Sequence, residues 1–412
     1  MFLSKLFLST ALTTTLLAST PEHVDSKTAV DSLNAFGIDL LTPMTSNHTN
    51  AVYSPSSLFI SLSMVASGAN GTTLQSMKKG LHWSGDTLEI AQSIQCLSKQ
   101  LSSAPTEKNC LLTCTNVNGL FAEQDTSFLP SFQKTVEDYY QANLQSMNFS
   151  LQVQATDIIN TWISNSTHGK IPRLLQLGDV DSSTRLALVD AVYFSGQWVS
   201  PFSKEKTTKQ PFITDPKKRH DVSMMRQVGS FSFLEQSSTQ ILALPFKACS
   251  TEGPQPLLLI VLPPTFDDLK NLQKQLTPDL IQQWLSELKP QFLDVQLPNF
   301  CLRKRYDMQQ PLKALGMAAP FMSNADFSGI DGSKDLFLSK AIHEAYFHLD
   351  EQGVEASAAS IATFHVTATG PSKESPIAFT ANHPFLFLLI DQQTSTLLFL
   401  GEFVDPSLTG CN

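Results

Sequence analysis

Nowhere in its 412 residues does the chain carry a Gly-X-Ser-X-Gly elbow, a glycine-rich dinucleotide fingerprint or a phosphate loop. Enzymes built on those motifs are set aside, no catalytic residue is nominated and no cofactor is expected. Metal-ligand spacing is missing too. His343 and His348 stand five residues apart, whereas a zinc-binding helix needs two His at i and i+4, and Cys110-X-X-X-Cys114 has no second close pair of Cys or His. Ile342, Ala345, Phe347 and Leu349 suit a strand better. Charge is sparse: 16% of residues, 28 basic against 37 acidic, for a net charge of −9. That balance argues against nucleic acid or another polyanion as a general partner. Beyond the N-terminus no run of about twenty apolar residues occurs, so no membrane-spanning helix is expected. Length alone suggests two or three domains, yet no linker, repeat or low-complexity tract divides the chain.

What is present begins with a leader. Lys5 precedes the apolar run 6–17, which ends in Ala18-Ser19-Thr20, the order of a secretory signal peptide over residues 1–19. The mature protein, residues 20–412, is then expected to be secreted and extracellular. Four Asn-X-Ser/Thr sequons, at Asn47, Asn70, Asn148 and Asn165, are compatible with a glycoprotein. The six cysteines, Cys96, Cys110, Cys114, Cys249, Cys301 and Cys411, permit disulfides in that compartment. Six cysteines allow about fifteen pairings and the spacing selects none, with buried free thiols as the other reading.

The most informative stretch is Glu351-Gln-Gly353-Val354-Glu355-Ala356-Ser357-Ala358-Ala359-Ser360. In an extended chain Val354, Ala356, Ala358 and Ser360 point one way and Glu355, Ser357 and Ala359 the other. Nothing bulky or charged sits on the first face, so this segment could enter between two packed strands with Glu355 left outside. Taken alone, it would read rather as a solvated Ala/Ser loop. Downstream comes Phe379-Thr-Ala-Asn-His-Pro-Phe-Leu-Phe-Leu-Leu389, then a polar turn, Thr396-Leu-Leu-Phe-Leu-Gly-Glu-Phe-Val404 and Asp405-Pro406. Upstream lie Ser54-Pro-Ser-Ser57, Asn160-Thr-Trp162, Thr167-His-Gly-Lys-Ile171, Phe194-Ser-Gly-Gln-Trp198, Leu297-Pro-Asn-Phe300 and Leu312-Lys-Ala-Leu-Gly-Met317. In these motifs and their order the chain resembles the serpins, from about residue 30 to residue 407.

The resemblance implies one α+β domain with the serpin fold: three β-sheets, eight or nine helices and an exposed reactive-centre loop over about residues 353–378. It implies a secreted suicide-substrate inhibitor whose partner is a serine protease, trapped as a covalent acyl-enzyme while the cleaved loop joins the central sheet. The non-inhibitory alternative is a carrier, chaperone or storage serpin. Such members often place bulky, charged or Pro residues in the hinge, and the hinge here (Glu351, Gly353 and residues 354–360) has no such obstruction. Some serpins bind heparin-type glycans through a basic helix, but residues 84–105 offer only Lys99, so that site is not expected. The basic runs 217–220 and 303–305 read as solvated loops.

By the same resemblance Ser54, Ser57, Asp190, Trp198 and His343 form the region that opens the sheet. Asp190 departs from the family's usual Asn; it implies a contact with His343, an ordinary Asp held by backbone donors being the other reading. The family's usual spacing from the hinge Gly implies a reactive bond at Thr367-Ala368, whose small uncharged residues suit an elastase-type pocket. Phe364-His365 is the rival bond and suits a chymotrypsin-like one.

Overall fold

The computed structural model describes residues 25–45, 49–102, 112–215, 217–354 and 375–410. Its strands are, in chain order, β1 (Ala51–Tyr53), β2 (Thr113–Glu123), β3 (Asn143–Met147), β4 (Leu186–Gln197), β5 (Thr208–Asp215), β6 (Lys218–Gln236), β7 (Thr239–Pro245) and β8 (Pro256–Leu262). They continue as β9 (Lys289–Pro298), β10 (Phe300–Asp307), β11 (Leu338–Leu349), β12 (Gly353–Val354), β13 (Ile377–Thr380), β14 (Phe385–Asp391) and β15 (Thr396–Phe403). Nine strands form one sheet and six the other, in the orders β1-β15-β14-β8-β7-β6-β9-β13, with β5 on β6, and β10-β11-β12-β4-β2-β3.

The three sheets implied by the resemblance appear as two hydrogen-bonded networks. The reason is β6, 19 residues long, which pairs with β5 and β9 and then, through its last residues, with β7, so that two sheets become continuous. Eleven α-helical segments occur among the described residues, two of them a single turn of four residues, Leu41–Met44 and Ser328–Asp331. The C-terminal apolar runs become β14 and β15. Both are buried along their whole length, as strands covered on two faces must be.

The six-stranded sheet matters most for function. Its helix Gln152–Ser166 lies on one face because Ala155, Ile159 and Ile163 recur at helical spacing and share a core with Val117, Phe121, Val189, Ala191 and Ile342. That core bridges β4 and β11. On the sheet's other side the helix Pro55–Ala66 is buried on every side, its apolar residues interleaved with small serines, of which Ser57 and Ser61 make buried hydrogen bonds. Ser54 caps it by accepting the Ser57 N–H at 3.1 Å, and Pro55 occupies the first turn, where a missing N–H costs nothing. Between the two sheets a second core stacks Phe300 on Phe403 at 4.5 Å and Phe347 on Phe387 at 5.0 Å.

Candidate functional site: the seam between β4 and β11

Strands β4 and β11 run parallel and are paired from Leu338 opposite Leu186 up to Tyr346 opposite Tyr193. This register puts His343 beside Asp190, while the antiparallel pairing of β2 with β4 puts Asn118 on the other side of Asp190. The N-terminus of the helix Pro55–Ala66 closes the group from below. His343 and Asp190 are in direct contact through Nδ1 and Oδ1. The Ser54 N–H donates to His343 Nε2 at 3.2 Å, so this nitrogen carries the lone pair and Nδ1 the proton that faces Asp190. Ser57 Oγ donates to the second carboxylate oxygen at 2.7 Å. Asp190 is thus met by side-chain donors from two elements, which decides between the two readings of that position.

All four polar residues are sealed: Ser54, Ser57 and His343 are fully buried and Asp190 is 1% exposed. Buried polar groups are tolerated only when satisfied, and here the satisfied contacts tie two parallel strands and a helix end together. Tyr306 on β10 stacks near His343 at 6.4 Å and accepts the Val52 N–H at 3.3 Å, and burial raises its phenol well above the ordinary range. Asn118 and Tyr306 carried no sequence signal of their own, because only the strand register brings them here.

Above Tyr346 and Tyr193 the two strands part, and β12 lies between them. Val354 pairs with Leu349 on β11 and with Gly196 on β4, antiparallel to both, and is fully buried. Gly353 is obligatory at this approach: a Cβ there would stand 1.9 Å from the Gly196 carbonyl oxygen. Trp198 serves two ends. Its ring stacks on Phe246 at 4.3 Å as a core aromatic, and its indole N–H donates to the Asp350 carbonyl at 3.0 Å. Glu351 is 7% exposed and accepts from Thr207 Oγ1 at 2.6 Å. Hinge residues 355–360, both reactive bonds at 367–368 and 364–365, Asn47 and the leader 1–19 lie outside the described residues.

Two readings of the basic runs change. Arg303, Lys304 and Arg305 are not a solvated loop but part of β10, where Arg303 Nε donates to the buried Glu344 carboxylate at 2.6 Å and Arg305 Nε to the Leu174 carbonyl at 2.6 Å. Arg305 also pairs with Asp179, and desolvation draws the Lys304 ammonium below its ordinary range. Burial pushes the Glu344 carboxyl up, and Arg303 only partly offsets it. Of the 217–220 run, Lys218, Arg219 and His220 begin β6, and the run is partly neutralised, with Lys218 Nζ 2.8 Å from Asp405.

Among the described sequons, Asn165 is exposed near the end of its helix, Asn148 Oδ1 accepts the Ser150 N–H at 2.9 Å, and Asn70 Nδ2 donates to Ser328 at 3.1 Å. Cys249 and Cys301 are disulfide-bonded, whereas Cys96 and Cys114 are free thiols. Burial pushes the Cys114 thiol up to about 12.

A family model described as serpin, serine protease inhibitor, matches residues 31–406. The chain belongs to the serpin family. Among its relatives, the leukocyte elastase inhibitor of Bos taurus is 36% identical over 385 residues, covering 90% of this chain and 97% of that protein. Serpin B6 of Pongo abelii is 35% identical over 380 residues, with the same coverage of 90% and 97%. Among solved structures, uncleaved ovalbumin superimposes with a TM-score of 0.80 at 28% identity, over 92% of this chain and 100% of its own. Human thyroxine-binding globulin in complex with its ligand gives 0.83 at 25% identity, over 92% and 99%. In this serpin the parted top of the β4–β11 seam and the polar cluster at its middle bring together every described residue nominated from sequence for the sheet-opening region. Trp198, Gly353 and Val354 lie at the top, and Ser54, Ser57, Asp190 and His343 lie below.

Proposed function

We propose that this serpin is a secreted suicide-substrate inhibitor of a serine protease with an elastase-like or chymotrypsin-like pocket. The observation that carries the reading is β12, a two-residue strand already seated between β4 and β11 with Val354 fully buried. The residues that follow it, Glu355, Ala356, Ser357, Ala358, Ala359 and Ser360, are small apart from one carboxylate. They can extend β12 without burying a charge on the inner face.

The chemistry belongs to the protease. Its serine Oγ adds to the carbonyl of the residue before the reactive bond, that bond breaks, and the new amine departs with the C-terminal segment, leaving an ester. The freed loop then continues β12 along the seam. Where β4 and β11 now form one parallel ladder, two antiparallel ladders would replace it, the geometry with the slightly stronger pairing per residue. The tethered protease is carried along, and distortion of its active site stops hydrolysis of the ester, since a misplacement of about 1 Å can cost a hundredfold in rate.

The names of the relatives favour an elastase, as does the small Thr367 at the reactive position. Secretion is supported by the leader-like N-terminus and by the disulfide state of Cys249 and Cys301, which requires an oxidising environment. Incubating the purified protein with trypsin-like, chymotrypsin-like and elastase-like enzymes tests the proposal. An SDS-stable complex and a new N-terminus at Ala368 are expected with the elastase type. A new N-terminus at His365 replaces the elastase by a chymotrypsin-like target. No complex with any of them replaces the inhibitor by a carrier.

A further inference from the structure

Between β11 and β12 the chain reverses over residues 350–353, and the reversal is closed by a single carboxylate. Asp350 Oδ1 accepts the Gln352 N–H at 2.7 Å and the Gly353 N–H at 3.2 Å. The Asp350 N–H donates to the Gly353 carbonyl at 2.8 Å. The other three carbonyls of the turn are met from the β4 side: Asp350 O by the Trp198 indole at 3.0 Å, Gln352 O by Trp198 N at 2.9 Å and Glu351 O by Phe202 N at 2.8 Å. Every carbonyl of the reversal therefore has a partner before any protease arrives. The N–H groups of Gln352 and Gly353 depend on Asp350.

Reversing a chain fixes several dihedral angles before the strand bonds that compensate exist, so forming the turn is the unfavourable first event of inserting a strand. Here that event is already complete. We propose that Asp350 is the positioning residue that sets how quickly the loop enters the sheet, a role that rests on the inhibitor reading. It touches neither the protease nor the reactive bond. It holds Gly353 and Val354 in register with Leu349 and Gly196, so that after cleavage the strand has only to lengthen. Without the carboxylate two N–H groups lose their acceptor, the hinge leaves the seam, and insertion must begin by rebuilding the turn while deacylation competes.

The test compares wild type, Asp350→Ala and Asp350→Asn as full-length protein. Asparagine keeps the accepting Oδ1, so Asp350→Asn should retain wild-type behaviour. Amide exchange of the peptide containing Gln352, Gly353 and Val354 should quicken in Asp350→Ala only. The partition from complex toward cleaved, released inhibitor should rise at least about tenfold in the same variant, since either of the two lost bonds to a charged acceptor carries about that factor by itself. A purely structural role would lower the melting temperature and leave that partition unmoved. Unchanged exchange in Asp350→Ala, or faster exchange with an equal or lower partition, overturns the proposal while the inhibitor reading stands. Wild-type protein that traps no protease removes the inhibitor reading and this role with it.

Discussion

Val354→Arg should convert the inhibitor into a substrate, and the size of the effect follows from where the side chain sits. Val354 is fully buried, shares a core with Phe347, Leu349 and Phe246, and is flanked by Leu349 on one strand and Gly196 on the other. The side chains that share that core with it are apolar. A guanidinium there would be unpaired, and the effective penalty for burying one ion is several kcal/mol even after relaxation and water entry. With about 1.4 kcal/mol per factor of ten, a penalty near 4 kcal/mol slows insertion about a thousandfold. Deacylation, which uses the protease's own machinery, is unaffected, so the acyl-enzyme hydrolyses before it can be trapped. Titrating a fixed amount of protease and resolving the products on denaturing gels reads this directly: the complex band should vanish and the cleaved form accumulate. Val354→Thr, nearly the same in shape, should still form complex. If the arginine variant traps protease with wild-type stoichiometry, burial of residue 354 in the sheet is not needed for trapping and the insertion reasoning is wrong.

Asp190→Ala strips an acceptor from the His343 Nδ1–H and the Ser57 hydroxyl in a sealed site; a loss of roughly 2–5 kcal/mol and a marked fall in melting temperature are expected. Asp190→Asn, which can accept from His343 and donate to Ser57, should recover most of it, and equal melting temperatures for the two variants would refute the cluster's role. Cleavage between Thr363 and Thr369 should raise the melting temperature, because the inserted strand gains two ladders; scanning before and after limited proteolysis decides it, and no rise counts against insertion. Glu402, 3% exposed between β1 and β14, is pushed by burial up to about 8 from an ordinary 4.5, against the opposing effects of Gln273 and Lys270. A carboxyl raised in the fold is held protonated, so its contribution is complete below pH 4.5 and fades as pH rises through about 8. Glu402→Gln should flatten the melting temperature between those limits, and an unchanged pH profile would count against a buried neutral Glu402.

How much of this was legible in the sequence depends on whether a residue's role is local. Ser54 with Pro55 and Ser57 declares a helix start by its own chemistry, and the small side chains after Gly353 declare a segment able to be buried on one face. The hinge face follows from the residues alone, whereas Ser54 and Ser57 are placed at a helix start by the family resemblance. The apolar run 385–390 announces a strand covered on two sides, and β14 is such a strand. Asp350 is legible too, since an Asp shortly before a Gly is the signature of a side chain bonding the backbone of its own turn.

The basic runs were misread for the opposite reason. A run of Arg, Lys and Arg looks solvated when only its neighbours in sequence are considered, but on an edge strand its alternate members meet whatever the next strand presents. Arg303 lies opposite Tyr346 in the register and reaches diagonally to Glu344 two residues along, while Arg305 reaches past the sheet to Asp179. Those partners lie 41 and 126 residues from Arg303 and Arg305 in sequence, outside any local window, and the same holds for Asp190 and His343, 153 positions apart in sequence and adjacent in the sheet. What joins them is the parallel crossover of β4 and β11, a pairing that hydrophobic periodicity does not specify. The seam therefore had to come either from a family's known architecture or from the coordinates. The depth of Val354 within it, and the turn that holds it there, came only from the coordinates.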